Sequence, residues 1–153
     1  MNTSENLTGI YNFLQLSDSI ATAGQPTADQ FALLKQAGYE VVINLALPTS
    51  TNAIPNEAEI VAAQAMDYIS IPVVWENPTL ADAERFFQAM QTHTNRKVFV
   101  HCAMNMRVSA FMYLYRRIYE QIDEATAKQD LNKIWTPNST WQQFIDQVLQ
   151  QHQ

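Results

Sequence analysis

The sequence predicts an α/β fold, with a central and mostly parallel sheet flanked by helices, and three observations carry that reading. Short runs rich in β-branched residues, at 39–46, 67–73 and 97–102, alternate with longer stretches of helical periodicity. Helix-start residues stand between them: Thr27 ahead of Gln30, Asn56 ahead of Glu59, and Thr79. The chain has 153 residues, long enough to bury one core and short for two, so 1–153 is expected to form one domain. Strands that alternate with helices pair in parallel through crossovers, which places helices on both faces.

The elements follow in order. Residues 10–16 and 19–24 read as short strands leading into Gly24-Gln25-Pro26. Thr27 and Gln30 form a capping box, Phe31, Leu33 and Leu34 supply the apolar face of the first helix, and Gly38 ends it. A strong strand at 39–46 gives way to a polar, turn-rich loop from Pro48 to Pro55. A second helix runs from Asn56 to about Ala65 or Met66, and a strand at 67–73 closes on Ile71-Pro72-Val73. The loop from Val74 to Pro78 precedes a third helix, capped by Thr79, with Phe86, Phe87 and Met90 turned inward. Lys97 to Cys102 is a buried strand by composition. A largely apolar helix spans Val108 to about Tyr119, and one or two helices follow, the last starting near Ser139 or Thr140.

Composition narrows the function. Nine Lys+Arg against fifteen Asp+Glu leave a net charge of −6, which disfavours nucleic acid and anionic membrane surfaces as partners. No apolar run reaches the length of a membrane span. The only cysteine is Cys102, so no intramolecular disulfide forms, and the three histidines are scattered, so a metal is not expected. A lone reduced thiol suits the cytoplasm; the bacterial periplasm is the alternative if a leader has been removed.

The chemistry concentrates at Val100-His101-Cys102-Ala103-Met104-Asn105-Met106-Arg107-Val108-Ser109. A strand delivers a thiol to a loop, and a helix begins directly after it. The N–H groups of a helix N-terminus attract anions and favour thiolate over thiol. Arg107 adds a fixed charge whose planar fork matches phosphate. Thiolate, helix N-terminus and arginine together point to displacement chemistry on an anionic group. In parallel sheets such sites lie outside the carboxyl ends of the strands.

His101-Cys102 followed by Arg107 resembles the signature loop of the cysteine-dependent protein tyrosine and dual-specificity phosphatases. Ala23-Gly24-Gln25-Pro26-Thr27, Gly38-Tyr39, Val42-Ile43-Asn44-Leu45, Tyr68 and Ile71-Pro72-Val73 resemble a mostly bacterial branch of them, related to a domain found beside β-lactamase-like hydrolase domains. The resemblance runs from about residue 18 to about residue 117. It implies a protein-tyrosine-phosphatase-like sheet and hydrolysis of phosphate monoesters through a phosphocysteine. Cys102 would be the nucleophile and Arg107 would hold the equatorial oxygens. The acid would come from the loop after Ile71-Pro72-Val73, with Glu76 and Asp82 the two candidates. His101, Ala103, Met104, Asn105, Met106, Ser109 and Trp75 would surround the phosphorylated substrate or anion.

The resemblance implies that no metal or organic cofactor is needed, and three features depart from its pattern. The family has five residues between cysteine and arginine, and this chain has four, a loss of one backbone step of about 3.8 Å. No glycine follows Gly38, which leaves Asn105 as the residue suited to a left-handed turn. Valine stands at position 74, where the family commonly carries its aspartate. The shorter loop length is also that of rhodanese-like sulfurtransferases, so a Cys102 persulfide carrier is an alternative. A non-catalytic module that binds phosphate or phosphoprotein is another.

Overall fold

The computed structural model describes residues 7–152; residues 1–6 and 153, the ends of the expected 1–153 domain, lie outside the described residues. Five strands form one sheet: β1 (Leu14–Gln15), β2 (Ile20–Ala23), β3 (Val41–Asn44), β4 (Asp67–Ser70) and β5 (Val98–His101). Six helices are described: α1 (Ala28–Gln36), α2 (Glu57–Ala63), α3 (Leu80–Thr92), α4 (Met106–Ile118), α5 (Glu124–Ile134) and α6 (Ser139–Gln151). The strand order is β1-β2-β5-β3-β4. Only β1 runs antiparallel to its neighbour, so the sheet is mostly parallel, as the alternation predicts.

Strand periodicity sorts the core into two layers. Ala21, Ala23, Val42 and Phe99 pack with Phe31 and Leu34 of α1 and Val61 of α2. Ile20, Val41, Ile43, Val98 and Val100 pack on the opposite face against α3, α4, α5 and α6. β5 lies between β2 and β3, so its carboxyl end opens at the centre of the sheet edge. The alternation turns His101 toward the α1/α2 layer, against Phe31 and Phe99, and gives Cys102 to the other.

Several boundaries move. The expected strand at 10–16 shrinks to Leu14–Gln15, because residues 8–12 fold into turns and Asn12 takes a left-handed φ of 51°. The strand at 67–73 stops at Ser70, although the N–H groups of Ile71 and Val73 still donate to Asn44 O and Leu45 O at 2.9 and 3.0 Å, with Pro72 between them on the open edge of the sheet. The helix expected from Val108 begins two residues earlier, at Met106, which brings Arg107 into its first turn. Gly38, at φ 97°, closes α1 as expected. Ten consecutive residues of α4, Arg107 to Arg116, are buried, so this helix is covered on all sides. Arg116, near the end of this helix, is buried and paired with Asp130 of α5 at 2.7 Å.

Candidate active site

The loop between β5 and α4 holds the nucleophile candidate. Cys102 is buried at 1% exposure and lines a cavity of about 130 Å³ with Trp75, Ala103, Met104, Met106 and Arg107. Asn105 ends the loop as the N-cap of α4 with φ 71°, the left-handed role the sequence assigned to it. Its side chain cannot cap the helix from there and turns away instead. Its Nδ2 donates to Asn12 O at 2.8 Å and to Thr22 Oγ1 at 3.1 Å, while its Oδ1 is buried without a partner among the described residues.

The loop carbonyls are turned outward and each is held. Cys102 O faces His101 Nδ1 at 3.3 Å. Ala103 O accepts from the Gln25 N–H at 3.1 Å and from Asn52 Nδ2 at 3.1 Å. Met104 O accepts from Asn12 Nδ2 at 3.0 Å. No acceptor among the described residues takes the N–H groups of Ala103, Met104, Asn105, Met106 or Arg107. A short loop with its acceptors engaged outside and its donors unspent is suited to an anion.

Arg107 is buried at 7% and its Nη1 donates to Val73 O at 2.9 Å. That bond pins the guanidinium between the loop and the segment after β4, which carries Trp75 and Glu76. Trp75 lies against Trp135 and Trp141, with ring centroids 5.3 and 5.6 Å away, and its carbonyl accepts from Trp141 Nε1 at 2.9 Å. Helices α5 and α6 thus hold the 74–78 loop in place. Trp75 and Glu76 line a wider outer cavity of about 490 Å³, which shares Ala103, Met104 and Arg107 with the inner one.

Two of the residues proposed from the sequence are committed elsewhere. Asp82 belongs to the capping box of α3: it accepts from the Thr79 N–H at 3.2 Å, its own N–H donates to Thr79 Oγ1 at 3.1 Å, and Arg85 pairs with it at 2.7 Å. It lines neither cavity, and the structure places it on the helix cap rather than beside Cys102 and Arg107. The Ser109 hydroxyl gives its one proton to Met106 O at 2.7 Å and accepts from Trp135 Nε1 at 2.9 Å. Those two bonds make it a brace between α4 and the end of α5.

The structure also gathers a buried polar network absent from the sequence reading. Glu57, at the start of α2 and 5% exposed, accepts at 2.6 Å from His101 Nε2 and at 2.7 Å from Gln25 Nε2; Asn44 Nδ2 lies 3.3 Å away. Asn44 Nδ2 also donates to the Tyr68 hydroxyl at 3.0 Å. Burial raises the pKa of Glu57, but the hydrogen bond and charge of His101, with Gln25, outweigh it and leave the carboxyl below its ordinary value. Burial, reinforced by the charge of Glu57, pushes Tyr68 up to about 12 and keeps it neutral. Gln25, Asn44 and Tyr68 all belong to the motifs that carry the resemblance, and here they converge on one carboxylate. Glu57 itself, which reads in sequence as an ordinary first-turn helix acid, gave no signal of its own.

Comparison with known proteins bears out the family and the fold. Among curated proteins, the β-lactamase hydrolase-like protein of Xylella fastidiosa (strain Temecula1) is 33% identical over 97 residues, 61% of this chain. The chain spans 22% of that relative's length. Among solved structures, the DUF442 protein of Shewanella putrefaciens CN-32 is 40% identical, with a TM-score of 0.88 over 97% of both chains. Pseudomonas aeruginosa TpbA, solved in complex with pTyr, shares the fold at 15% identity and a TM-score of 0.66, over 92% of this chain and 77% of its own. The family model of the DSP-PTPase phosphatases fused to NAD+ kinase matches residues 12–149. With its thiol, arginine and outward-braced loop gathered at the end of β5, the chain belongs to that DSP-PTPase family of cysteine-dependent phosphatases.

Proposed function

We propose that the protein hydrolyses phosphate monoesters, with Cys102 as nucleophile, Arg107 and the loop N–H groups as the oxyanion cradle, and Glu76 as the general acid. The observation that carries this reading is the shared inner cavity, where a thiol, an arginine and unspent backbone donors meet. The Cys102 sulfur attacks phosphorus and forms an S–P bond as the ester P–O bond breaks. The leaving oxygen takes a proton from Glu76, which lines the mouth of the same site. Water then attacks the phosphocysteine, gives a proton back to Glu76, and releases phosphate and the thiolate. Arg107 holds two equatorial oxygens throughout. Family membership and the Gln25–Asn44–Tyr68 network favour this over the persulfide alternative that the loop length leaves open.

The test is hydrolysis of p-nitrophenyl phosphate by wild type, Cys102→Ser, Glu76→Gln and Asp82→Asn across acid and neutral pH. Turnover lost in Cys102→Ser, and a basic limb of the pH profile lost in Glu76→Gln but kept in Asp82→Asn, is the expected result. Residual activity in Cys102→Ser equal to wild type would remove the thiol from the mechanism.

A further inference from the structure

The outer cavity carries information about substrate class. On one side its wall is the loop after β3, residues 47 and 49–52; on the other it is Trp75, Glu76 and Met104. The hydroxyls of Thr49, Ser50 and Thr51 make no hydrogen bond to the described residues, although all three residues border the cavity. Met104 is 43% exposed and, with Trp75, gives the facing wall an apolar surface. The site therefore has one neutral hydrogen-bonding wall and one apolar wall, with room above the phosphate pocket for an organic body.

Positive charge is missing from it. Of the nine Lys and Arg residues, Arg107 alone lines either cavity. Arg96 and Lys97 sit at the amino end of β5, opposite the site, where Lys97 donates to Ala37 O and Arg96 pairs with Asp67 and Glu40. Arg85 is held by Asp82. Lys35 lies in the last turn of α1, Arg116 and Arg117 in the last turn of α4, and Lys128 and Lys133 on α5. The site has one carboxylate at its mouth, Glu76, in a chain whose net charge is −6. A second phosphate would meet no further cation.

Resting on the phosphatase reading above, we infer that the substrate class is a phosphate monoester with a single phosphate on an uncharged, hydroxyl-bearing organic body, and that polyphosphorylated compounds are excluded. The inner cavity and Arg107 take the phosphate, the hydroxyls of Thr49, Ser50 and Thr51 bond the body, and Trp75 with Met104 covers its apolar side. The missing second cation makes the choice, because a further phosphate would gain no charged partner in exchange for the water it gives up.

The experiment compares kcat/KM for glucose 6-phosphate and fructose 1,6-bisphosphate, with p-nitrophenyl phosphate as the reference for the chemistry itself. Glucose 6-phosphate is expected to win, and Thr51→Lys, a change on an exposed loop residue outside the phosphate cradle, should raise the bisphosphate-to-monophosphate ratio roughly tenfold. Hydrolysis of p-nitrophenyl phosphate together with a preference for the bisphosphate overturns the inference and leaves the phosphatase reading standing. Failure to hydrolyse any of the three overturns the phosphatase reading. The charge argument is then read by calorimetric binding of both sugar phosphates to Cys102→Ser. Tighter binding of the monophosphate upholds it; tighter binding of the bisphosphate, or no binding of either, overturns it.

Discussion

Gly24 sits where three backbone segments meet. A Cβ there would stand 2.6 Å from Tyr11 Cδ2 and 2.8 Å from Ala103 O, the carbonyl that Gln25 and Asn52 hold outward. The tyrosine ring can move but the carbonyl belongs to the phosphate loop, so Gly24→Ala is expected to displace the loop at a cost of about 1–3 kcal/mol. Chemical denaturation measures that cost, and a steeper fall in kcat/KM than in stability would place the damage at the loop. Glu57 shows a different logic. Its folded pKa lies below its ordinary value near 4.5, so its carboxylate stabilises the fold at neutral pH, and that stabilisation is lost as the pH falls from 4.5 through the lower folded value. Glu57→Gln leaves His101 facing a neutral amide, and breaking such a buried pair costs about 3–5 kcal/mol. The variant should therefore be less stable near neutrality and should lose less than wild type on acidification, as urea midpoints at the two pH values will show.

At the scale of elements, each strand or helix near the site has a separate hold on it. α4 starts from Asn105, whose left-handed φ of 71° costs about 1–2 kcal/mol in a residue other than glycine. Its amide recovers part of that by bonding Asn12 and Thr22. Asn105→Gly should relieve the backbone and lose the tether, so its thermal stability should change little while kcat falls; a kcat equal to wild type would show the tether to be dispensable. α3 depends on its capping box, and Thr79→Ala removes the oxygen that accepts from the Asp82 N–H. The expected loss is about 1 kcal/mol in denaturant unfolding. α6 buries Trp141, Phe144, Ile145 and Val148 and supplies the indole that holds Trp75 O. Trp141→Ala, in a fully buried position, is expected to cost about 3–5 kcal/mol and to loosen the loop that carries Glu76.

Across the whole molecule, the sheet separates two jobs. The α1/α2 layer carries the Glu57–His101 pair beneath the signature loop, and the layer of α3 to α6 forms the floor around Cys102 and Arg107. β5, central in the sheet, passes both residues to opposite faces at its end. No described helix is long and apolar enough to cross a membrane. The distribution of charge is also a property of the whole chain: eight of nine cations lie away from the cavities, the observation on which the proposed single-phosphate substrate rests.

The linear chain already contained the α/β alternation, the two-sided packing of β3 and β5, the caps at Thr27 and Thr79, and the thiol–loop–arginine order at 102–107. Each depends on neighbours in sequence, through strand period, helix caps and a helix start, so each can be read in one dimension. The left-handed turn at Asn105 was legible for the same reason, as the one residue of its loop suited to it. What only the tertiary structure decided involves partners far apart along the chain. Asp82 and Glu76 are both carboxylates near the same loop, and only the fold spends one on a helix cap and leaves the other at the cavity. Ser109 reads in sequence as one of the residues around the anion, and in the fold its hydroxyl is held by Met106 and Trp135. Glu57 is 44 residues from His101 and Asn12 is 93 from Asn105, and a hydrogen bond across such a separation leaves no periodic trace in sequence. Local backbone preference selected the elements; long-range satisfaction of buried polar groups selected which side chains face the phosphate pocket.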